Sequence, residues 1–87
     1  MLDFSEDDLN ETFIQIKDVE SLNDFASGHN LKVSFKDDAW ECSFDCFVDG
    51  KEASITIKIS DSNCEYDIWI DGEEYFINHE SQLEKFN

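Results

Sequence analysis

The stretch of sequence that decides the fold runs from residue 40 to residue 77 and reads WECSFDCFVDGKEASITIKISDSNCEYDIWIDGEEYFI. Apolar and polar residues alternate along most of it, which is the pattern of half-buried β-strands. Asp49-Gly50 and Asp71-Gly72 interrupt the alternation, and both pairs favour the two-residue hairpin turn whose central residues need positive φ angles. The stretch therefore predicts antiparallel strands joined by short turns.

The lengths of the connections predict how the strands pair. Apolar residues come to lie opposite apolar residues if Asp37-Asp38 and the two Gly-containing pairs are two-residue turns and if residues 60–63 form a four-residue loop. The expected pairs include Phe35–Trp40, Phe44–Ile55, Ile57–Tyr66, Ile68–Tyr75 and Tyr66–Ile77. Because a slip of one residue would turn every side chain to the other face, this agreement predicts a five-stranded antiparallel meander in which all these pairs, Phe35–Trp40 included, lie on one buried face.

Two segments ahead of the strands carry the signals of helices. Ser5 can cap the first, in which apolar residues follow helical spacing. Residues 12–17 also alternate like a short strand, so both interpretations of that segment stay open. Asp18 can cap the second helix, and Gly28 is expected to end it in a left-handed conformation.

The segment after the strands also reads as helical, since Asn78 can cap a short terminal helix that carries Leu83 and Phe86. The apolar face of the sheet must be buried, and the terminal helices are the only other predicted elements that can pack on it. The expected fold class is α+β: an antiparallel five-stranded β-meander with N-terminal helical segments and a short C-terminal helix packed on the sheet. Residues 1–87 are expected to form a single acidic α+β domain, because this length allows one core.

The composition is strongly acidic. Asp and Glu number 22 against six Lys and no Arg, which gives a formal net charge of -16. Nucleic acids and anionic membranes repel such a chain, so we expect it to bind neither directly. The apolar fraction of 40% and the aromatic fraction of 14% favour a folded protein over a disordered acidic tail. Surplus charge of this kind steers a protein toward a basic partner.

The N-terminal residues lack the basic and apolar regions of a secretory signal, and no apolar run reaches membrane-spanning length. Cys42, Cys46 and Cys64 are an odd number, which favours free thiols in a reducing compartment. We therefore expect a cytoplasmic protein of a bacterial host cell, encoded by the bacterium or by a phage.

Residues with catalytic or metal-binding chemistry form no convincing set. The C-x3-C spacing of Cys42 and Cys46 differs from that of a usual zinc site, and residues 61–67 resemble a calcium loop without its glycine at the sixth position. Nothing orients His29 or His79 against a nucleophile. The sequence predicts no catalytic residue, no metal ligand and no cofactor, and hence no enzyme.

The predicted register also describes the second face of the sheet, on which acidic and aromatic residues stand together. Carboxylates two residues apart on one strand, such as Glu65 and Asp67, lie roughly 6.6 Å apart. That spacing is of the same order as that of successive phosphates on one nucleic-acid strand. The expected partner-binding residues are Asp45, Phe47, Glu65, Asp67, Trp69, Asp71, Glu74 and Phe76. In the alternative interpretation the carboxylates only solvate the surface and the aromatic rings lie under a terminal helix.

These features together favour a small inhibitor, a monomer or a homodimer, that binds the basic surface of a nuclease or another nucleic-acid-binding protein by nucleic-acid mimicry. In its acidity, its size and its small expected α+β fold, the chain resembles the phage-borne antagonists of bacterial nucleases, among them anti-CRISPR and anti-restriction proteins. The resemblance covers the whole chain but contains no motif, so it assigns no residue. One alternative is an immunity protein that neutralises a cognate nuclease toxin. An alternative of another class is a structural or adaptor module that acts by self-association.

Overall fold

A computed structural model describes residues 2–61 and 63–86. Half of these residues are in strands and about a quarter are in helices. In chain order the elements are β1 (Leu2–Phe4), α1 (Glu6–Gln15), α2 (Val19–Gly28), β2 (Ser34–Lys36), β3 (Ala39–Val48), β4 (Lys51–Ser60), β5 (Asn63–Ile70), β6 (Glu73–Ile77) and β7 (Leu83–Lys85).

The strands of the described residues form one mixed sheet in the order β1-β3-β4-β5-β6-β7, and β2 also pairs with β3. The predicted antiparallel five-stranded meander with a C-terminal helix is therefore wrong. β1 runs parallel to β3 at residues 46–48, whereas β2 runs antiparallel to β3 at residues 39–41. A parallel pair needs a long crossover, here supplied by the chain between β1 and β3 with both helices in it, and no local pattern in three residues reveals such a pairing.

The C-terminal segment adds a strand where a helix was predicted. Asn78 does not cap a helix: its side-chain Oδ1 accepts hydrogen bonds from the backbone N–H groups of Glu80 (2.9 Å) and Gln82 (3.1 Å), which closes a turn. The chain then returns along β6 as β7. An Asn side chain serves a turn as readily as a helix start, and here the free edge of β6 offers backbone partners that a short helix lacks.

Four of the five residue pairs named above are confirmed. Phe35–Trp40, Phe44–Ile55, Ile57–Tyr66 and Ile68–Tyr75 all face each other across their strands. Asp37 and Asp38 both have positive φ, as a two-residue turn requires, and so do both residues of each Asp-Gly pair. The connection from β4 to β5 is shorter than the predicted four-residue loop, because Ser60 and Asn63 pair within the sheet.

Both predicted N-terminal caps form. Ser5 Oγ accepts from the backbone N–H of Asp8 (3.1 Å), and Asp18 Oδ1 accepts from that of Ser21 (2.9 Å). Residues 12–15 belong to α1, so the strand interpretation of that segment is wrong. Gly28 is the last residue of α2 and lacks the expected left-handed conformation; Asn30 adopts positive φ (57°) instead.

Both helices contribute to one core with a single face of the sheet. Leu9 and Phe13 of α1 and Leu22 and Ala26 of α2 are buried in the same cluster as the strands. The strand residues of this cluster are Cys42, Phe44, Cys46, Val48, Ala53, Ile55, Ile57, Ile59, Ile68 and Ile70. They alternate along β3, β4 and β5 with residues that are exposed or half-buried, so the opposite face of the sheet has no helix over it.

Tyr66 ties the end of α1 to the sheet. Its hydroxyl lies within hydrogen-bond distance of two backbone carbonyl oxygens, those of Phe13 (3.1 Å) and Ile16 (3.2 Å), and its ring packs on Phe13 at a centroid distance of 4.6 Å. Burial, followed by the nearby Cys64 thiol, raises the pKa of Tyr66 above its usual range. The hydroxyl therefore stays protonated and can donate to these carbonyls.

Replacing this tyrosine tests the contact. Tyr66→Phe is expected to lower the free energy of unfolding by about 1–3 kcal/mol at neutral pH, because buried carbonyl oxygens lose their donor. The raised native pKa means that the wild-type advantage is complete below about pH 10 and declines as the pH rises further, when the unfolded chain releases the phenolic proton first. Urea unfolding of both proteins from neutral to alkaline pH measures the difference.

The matched control is Tyr75→Phe, because Tyr75 is also half-buried but makes no side-chain hydrogen bond within the described part of the chain. This variant is expected to change the free energy of unfolding by less than about 0.5 kcal/mol. An equal loss of stability in both variants would contradict the hydrogen bonds assigned to Tyr66. So would a stability difference between the wild type and Tyr66→Phe that grows as the pH becomes alkaline.

Candidate functional site

The candidate site is the face of the sheet that points away from α1 and α2, here called the outer face. Its rows follow from the pairing of the strands, since partners across neighbouring strands point to the same side. The rows contain Asp3–Phe47–Glu52, Asp45–Ser54–Trp69–Glu74, Ser43–Thr56–Asp67, Glu41–Lys58–Glu65 and Phe76–Glu84. Carboxylates and aromatic rings thus alternate with small hydroxyl residues over the width of the sheet.

Trp69 lies on β5 in the outer face, between Ser54 of β4 and Glu74 of β6. Its side chain is 44% exposed. The indole Nε1–H donates to Asp67 Oδ1 at 3.0 Å, two residues earlier on the same strand. This hydrogen bond restrains the ring, so less conformational freedom is lost when a partner covers it.

The other predicted anchors, Phe47 and Phe76, are half-buried and are not covered by a helix. The alternative in which a terminal helix hides them is wrong, because the C-terminal segment extends the sheet edge. Phe86 now packs edge-to-face against Phe76, with ring centroids 5.8 Å apart, and it is itself 58% exposed. Phe86 was not expected on this surface, because the sequence pattern predicted that its ring lies on a terminal helix.

Most of the predicted partner-binding residues line one of two open depressions in the outer face. The first, of about 560 Å³, brings together Asp45, Trp69 and Asp71 beside the β5–β6 turn. The second, of about 710 Å³, is lined by residues that include Glu65, Asp67 and Phe76. Phe47 and Glu74 lie on the outer face but line neither depression. Glu41, Glu52 and Lys58 also line them, and the predicted hairpin register already pointed to these positions.

The second depression coincides with a gap between two strands. The β5–β6 pairs are Ile68–Tyr75, Trp69–Glu74 and Ile70–Glu73, so pairing stops before the expected Tyr66–Ile77 pair. Tyr66 instead directs its hydroxyl toward α1. Where the strands part, Asp67 and Phe76 line an opening of the sheet rather than a flat ladder.

The carboxylates of the outer face have few cationic neighbours. Lys58 stands between Glu41 and Glu65 in its row. The ion pair found among the described residues joins Lys85 Nζ to Glu73 Oε2 at 2.9 Å. Both residues are at strand positions that belong to the helix-covered face, not to the outer face. The negative charge of the outer face is therefore available to a cationic partner.

Acidic residues are not confined to the outer face. The helical layer carries a set of its own: Glu6, Asp7, Asp8, Glu11, Glu20 and Asp24. Charge alone therefore does not distinguish one face from the other. The outer face differs from the helical layer in that its carboxylates stand beside aromatic rings, of which that of Trp69 is 44% exposed.

The thiols have the properties of packed side chains rather than of nucleophiles. Cys42 and Cys46 are fully buried, and burial raises the pKa of Cys46 to about 11. Cys64 Sγ lies 3.9 Å from the backbone oxygen of Ile16, and burial raises its pKa as well. Thiols with raised pKa values are neutral near pH 7, and the thiolate is the reactive form.

His29 also serves packing. The His29 ring contacts Phe25 and Phe4 at centroid distances of 4.8 and 5.9 Å. Over residues 2–61 and 63–86, no group of three or more His, Cys, Asp or Glu residues has the arrangement needed to hold a metal ion. None of the helices in that part of the chain is long and apolar enough to cross a membrane.

Comparison of the chain with models of known families, with curated proteins and with solved structures finds no significant match.

Proposed function

We propose that this protein is a small acidic inhibitor that binds the basic nucleic-acid-binding surface of a nuclease or another nucleic-acid-processing protein and excludes the nucleic acid from it. The observation that carries the proposal is the outer face, where carboxylates stand in rows around the exposed ring of Trp69 and no helix covers them. A surface with rings inside a charged rim has the anatomy of a protein-binding hot spot.

Charge and rings have separate tasks in this mechanism. The net charge of -16 attracts a basic groove over a distance of about a Debye length and raises the association rate. Once the surfaces meet, Trp69 and the Phe76–Phe86 pair lose water against the partner and slow dissociation. Nucleic acid is displaced because both ligands need the same cationic side chains.

The dimensions of the protein suit such a groove. Its principal extents are 31, 27 and 21 Å, measured on Cα atoms. One turn of a DNA duplex rises about 34 Å, so a face of this width replaces roughly one helical turn of duplex. A partner that contacts DNA over a single turn is therefore the expected target.

Self-association is the less favoured role. Two copies of a chain with a charge of -16 repel each other, and the repulsion is strongest where acidic faces would meet. Strands β1 and β7 are each three residues long, and short edges offer little backbone for pairing. These features support a heterologous basic partner.

The proposal is tested with two charge-neutralised variants of equal net charge. The first, Asp45→Asn/Asp67→Asn/Glu74→Gln, changes exposed residues of the outer face; the second, Glu11→Gln/Glu20→Gln/Asp24→Asn, changes exposed residues of the helical layer. Each protein is titrated into purified nucleases loaded with a fluorescently labelled DNA duplex, at low and at raised salt. Release of the duplex is followed by fluorescence anisotropy.

The concentration of the outer-face variant that releases half of the duplex is expected to be about tenfold higher than that of the wild type. Each exposed charge contributes about 0.5 kcal/mol to the binding free energy, and three are removed. The helical-layer variant should need less than about threefold more, because only the long-range attraction is reduced. Equal losses in the two variants would mean that net charge, not the outer face, drives binding. If the wild-type protein released no duplex from any nuclease, the proposal would be wrong.

A further inference from the structure

A second group of exposed aromatic rings lies at one end of the sheet. Phe35 is 57% exposed and Trp40 is 37% exposed, and their ring centroids are 4.8 Å apart. The prediction that this pair lies on the buried face is wrong, although both residues have the parity of the core positions. Together with Val19 and Ile59 the rings line a depression of about 440 Å³, here called the Trp40 depression.

Two carboxylates from separate turns complete the lining of the Trp40 depression. Asp38 belongs to the β2–β3 turn and Asp61 to the β4–β5 turn. Their φ angles are 60° and 51°, a left-handed conformation that glycine adopts at lower cost. Aspartate is among the residues other than glycine that adopt this conformation most readily, so both turns can carry a carboxylate.

The chemistry of this depression defines its occupant. Nucleic acid and a second copy of this chain are both strongly negative and would meet two further carboxylates here. The occupant has to be cationic while covering apolar rings. The arginine guanidinium combines a fixed positive charge with a planar, weakly hydrated surface that stacks on tryptophan, whereas the lysine ammonium is a strongly hydrated point charge.

We propose that the Trp40 depression binds an arginine side chain of a protein partner. The guanidinium stacks on Trp40 and donates hydrogen bonds to the carboxylates of Asp38 and Asp61. The depression lies at the end of the sheet opposite the Asp49-Gly50 and Asp71-Gly72 turns, and its strand residues have the parity of the core face. The inference is therefore independent of the outer face and of the function proposed for it.

The test uses two short peptides as probes, acetyl-Gly-Arg-Gly-amide and the same peptide with citrulline in place of arginine. Citrulline has nearly the same shape and no charge. The indole N–H signals of Trp40 and Trp69 in a ¹H–¹⁵N spectrum report on the two sites of one protein. The arginine peptide is expected to shift the Trp40 signal in a saturable manner, with at least about a fivefold smaller response at Trp69.

The matched variants are Asp38→Gly and Asp37→Gly. Both remove one carboxylate and one non-glycine residue with positive φ from the same turn, but only Asp38 lines the Trp40 depression. Asp38→Gly is expected to lower the affinity for the arginine peptide about three- to fivefold, which is the effect of losing one exposed charge pair. Asp37→Gly should change the affinity by less than about twofold, and neither variant should lower the Tm.

Equal weakening by the two variants would overturn the proposal, because it would show attraction to the overall charge alone. Equal binding of the citrulline peptide would do the same, since stacking without charge would suffice. A Trp69 response as large as the Trp40 response would show that the peptide has no preference for this depression.

Discussion

Trp69→Ala is expected to weaken binding to a basic partner by about 30- to 300-fold, which corresponds to roughly 2–3.4 kcal/mol for a central aromatic anchor. The ring is 44% exposed, stands between Ser54 and Glu74 on the outer face and is held by the Asp67 carboxylate. Its loss removes the largest apolar contact while the net charge stays the same. The dissociation rate should rise and the association rate should change little, which surface plasmon resonance separates.

The same substitution should leave the fold intact. Because the ring makes few core contacts, the free energy of unfolding is expected to change by less than about 1 kcal/mol. Ile14→Ala is the control, since Ile14 is 50% exposed on α1 and lies in the helical layer. It should leave affinity within about twofold. Global unfolding of Trp69→Ala, or an equal loss of affinity in Ile14→Ala, would contradict the role of the outer face.

Ile55→Ala is expected to lower the free energy of unfolding by about 3–5 kcal/mol. Ile55 has no exposed surface and pairs with Phe44 on one side and Ile68 on the other, in the middle of the core. Removing three carbon atoms there leaves a cavity that the neighbouring strands cannot close. A domain of this size has roughly 5–10 kcal/mol of stability in total, so a measurable unfolded fraction at moderate temperature is expected.

Two further variants grade this effect. Ile55→Val removes one carbon atom and should cost about 1 kcal/mol. Ser54→Ala changes the adjacent, exposed residue on the outer face and should cost less than about 0.5 kcal/mol. Urea unfolding measures all three. If the Ser54 variant lost as much stability as the Ile55 variant, the assignment of the two faces of the sheet would be reversed.

The hairpins could be predicted from sequence because their signals are local. Asp49-Gly50 and Asp71-Gly72 need positive φ at both positions, and both turns have it. A short turn then determines the pairing on either side, so the register of β3, β4 and β5 followed without any knowledge of the rest of the chain. The division of these strands into a buried and an outer face followed from the same register.

The two terminal strands could not be predicted in this way. β1 and β7 have three residues each, which is too few to show a period of two. Their pairing depends on free backbone groups at the edges of a sheet that exists only after folding. Asn78 illustrates the difficulty, because the same side chain can begin a helix or close a turn.

The candidate site was predicted in part for the same reason. All eight predicted residues belong to the hairpin region, and where β5 pairs with β6 the register holds through Trp69–Glu74. Phe86 and Glu84 were not found because they join the surface through β7. Phe35 and Trp40 were predicted to be buried, whereas both are exposed. The alternation of apolar and polar residues shows to which face of the sheet a side chain points. It does not show whether a helix extends far enough to cover that part of the face.

The parallel pairing of β1 with β3 has a consequence for synthesis on the ribosome. Leu2–Phe4 are made 44 residues before their partners Cys46–Val48, and the last β3–β4 pair, Trp40–Ile59, needs a further 11 residues of chain. During that interval α1 and α2 present Leu9 and Leu22 to water or to a chaperone. Both helices therefore stay without their packing partners until most of the chain has been made.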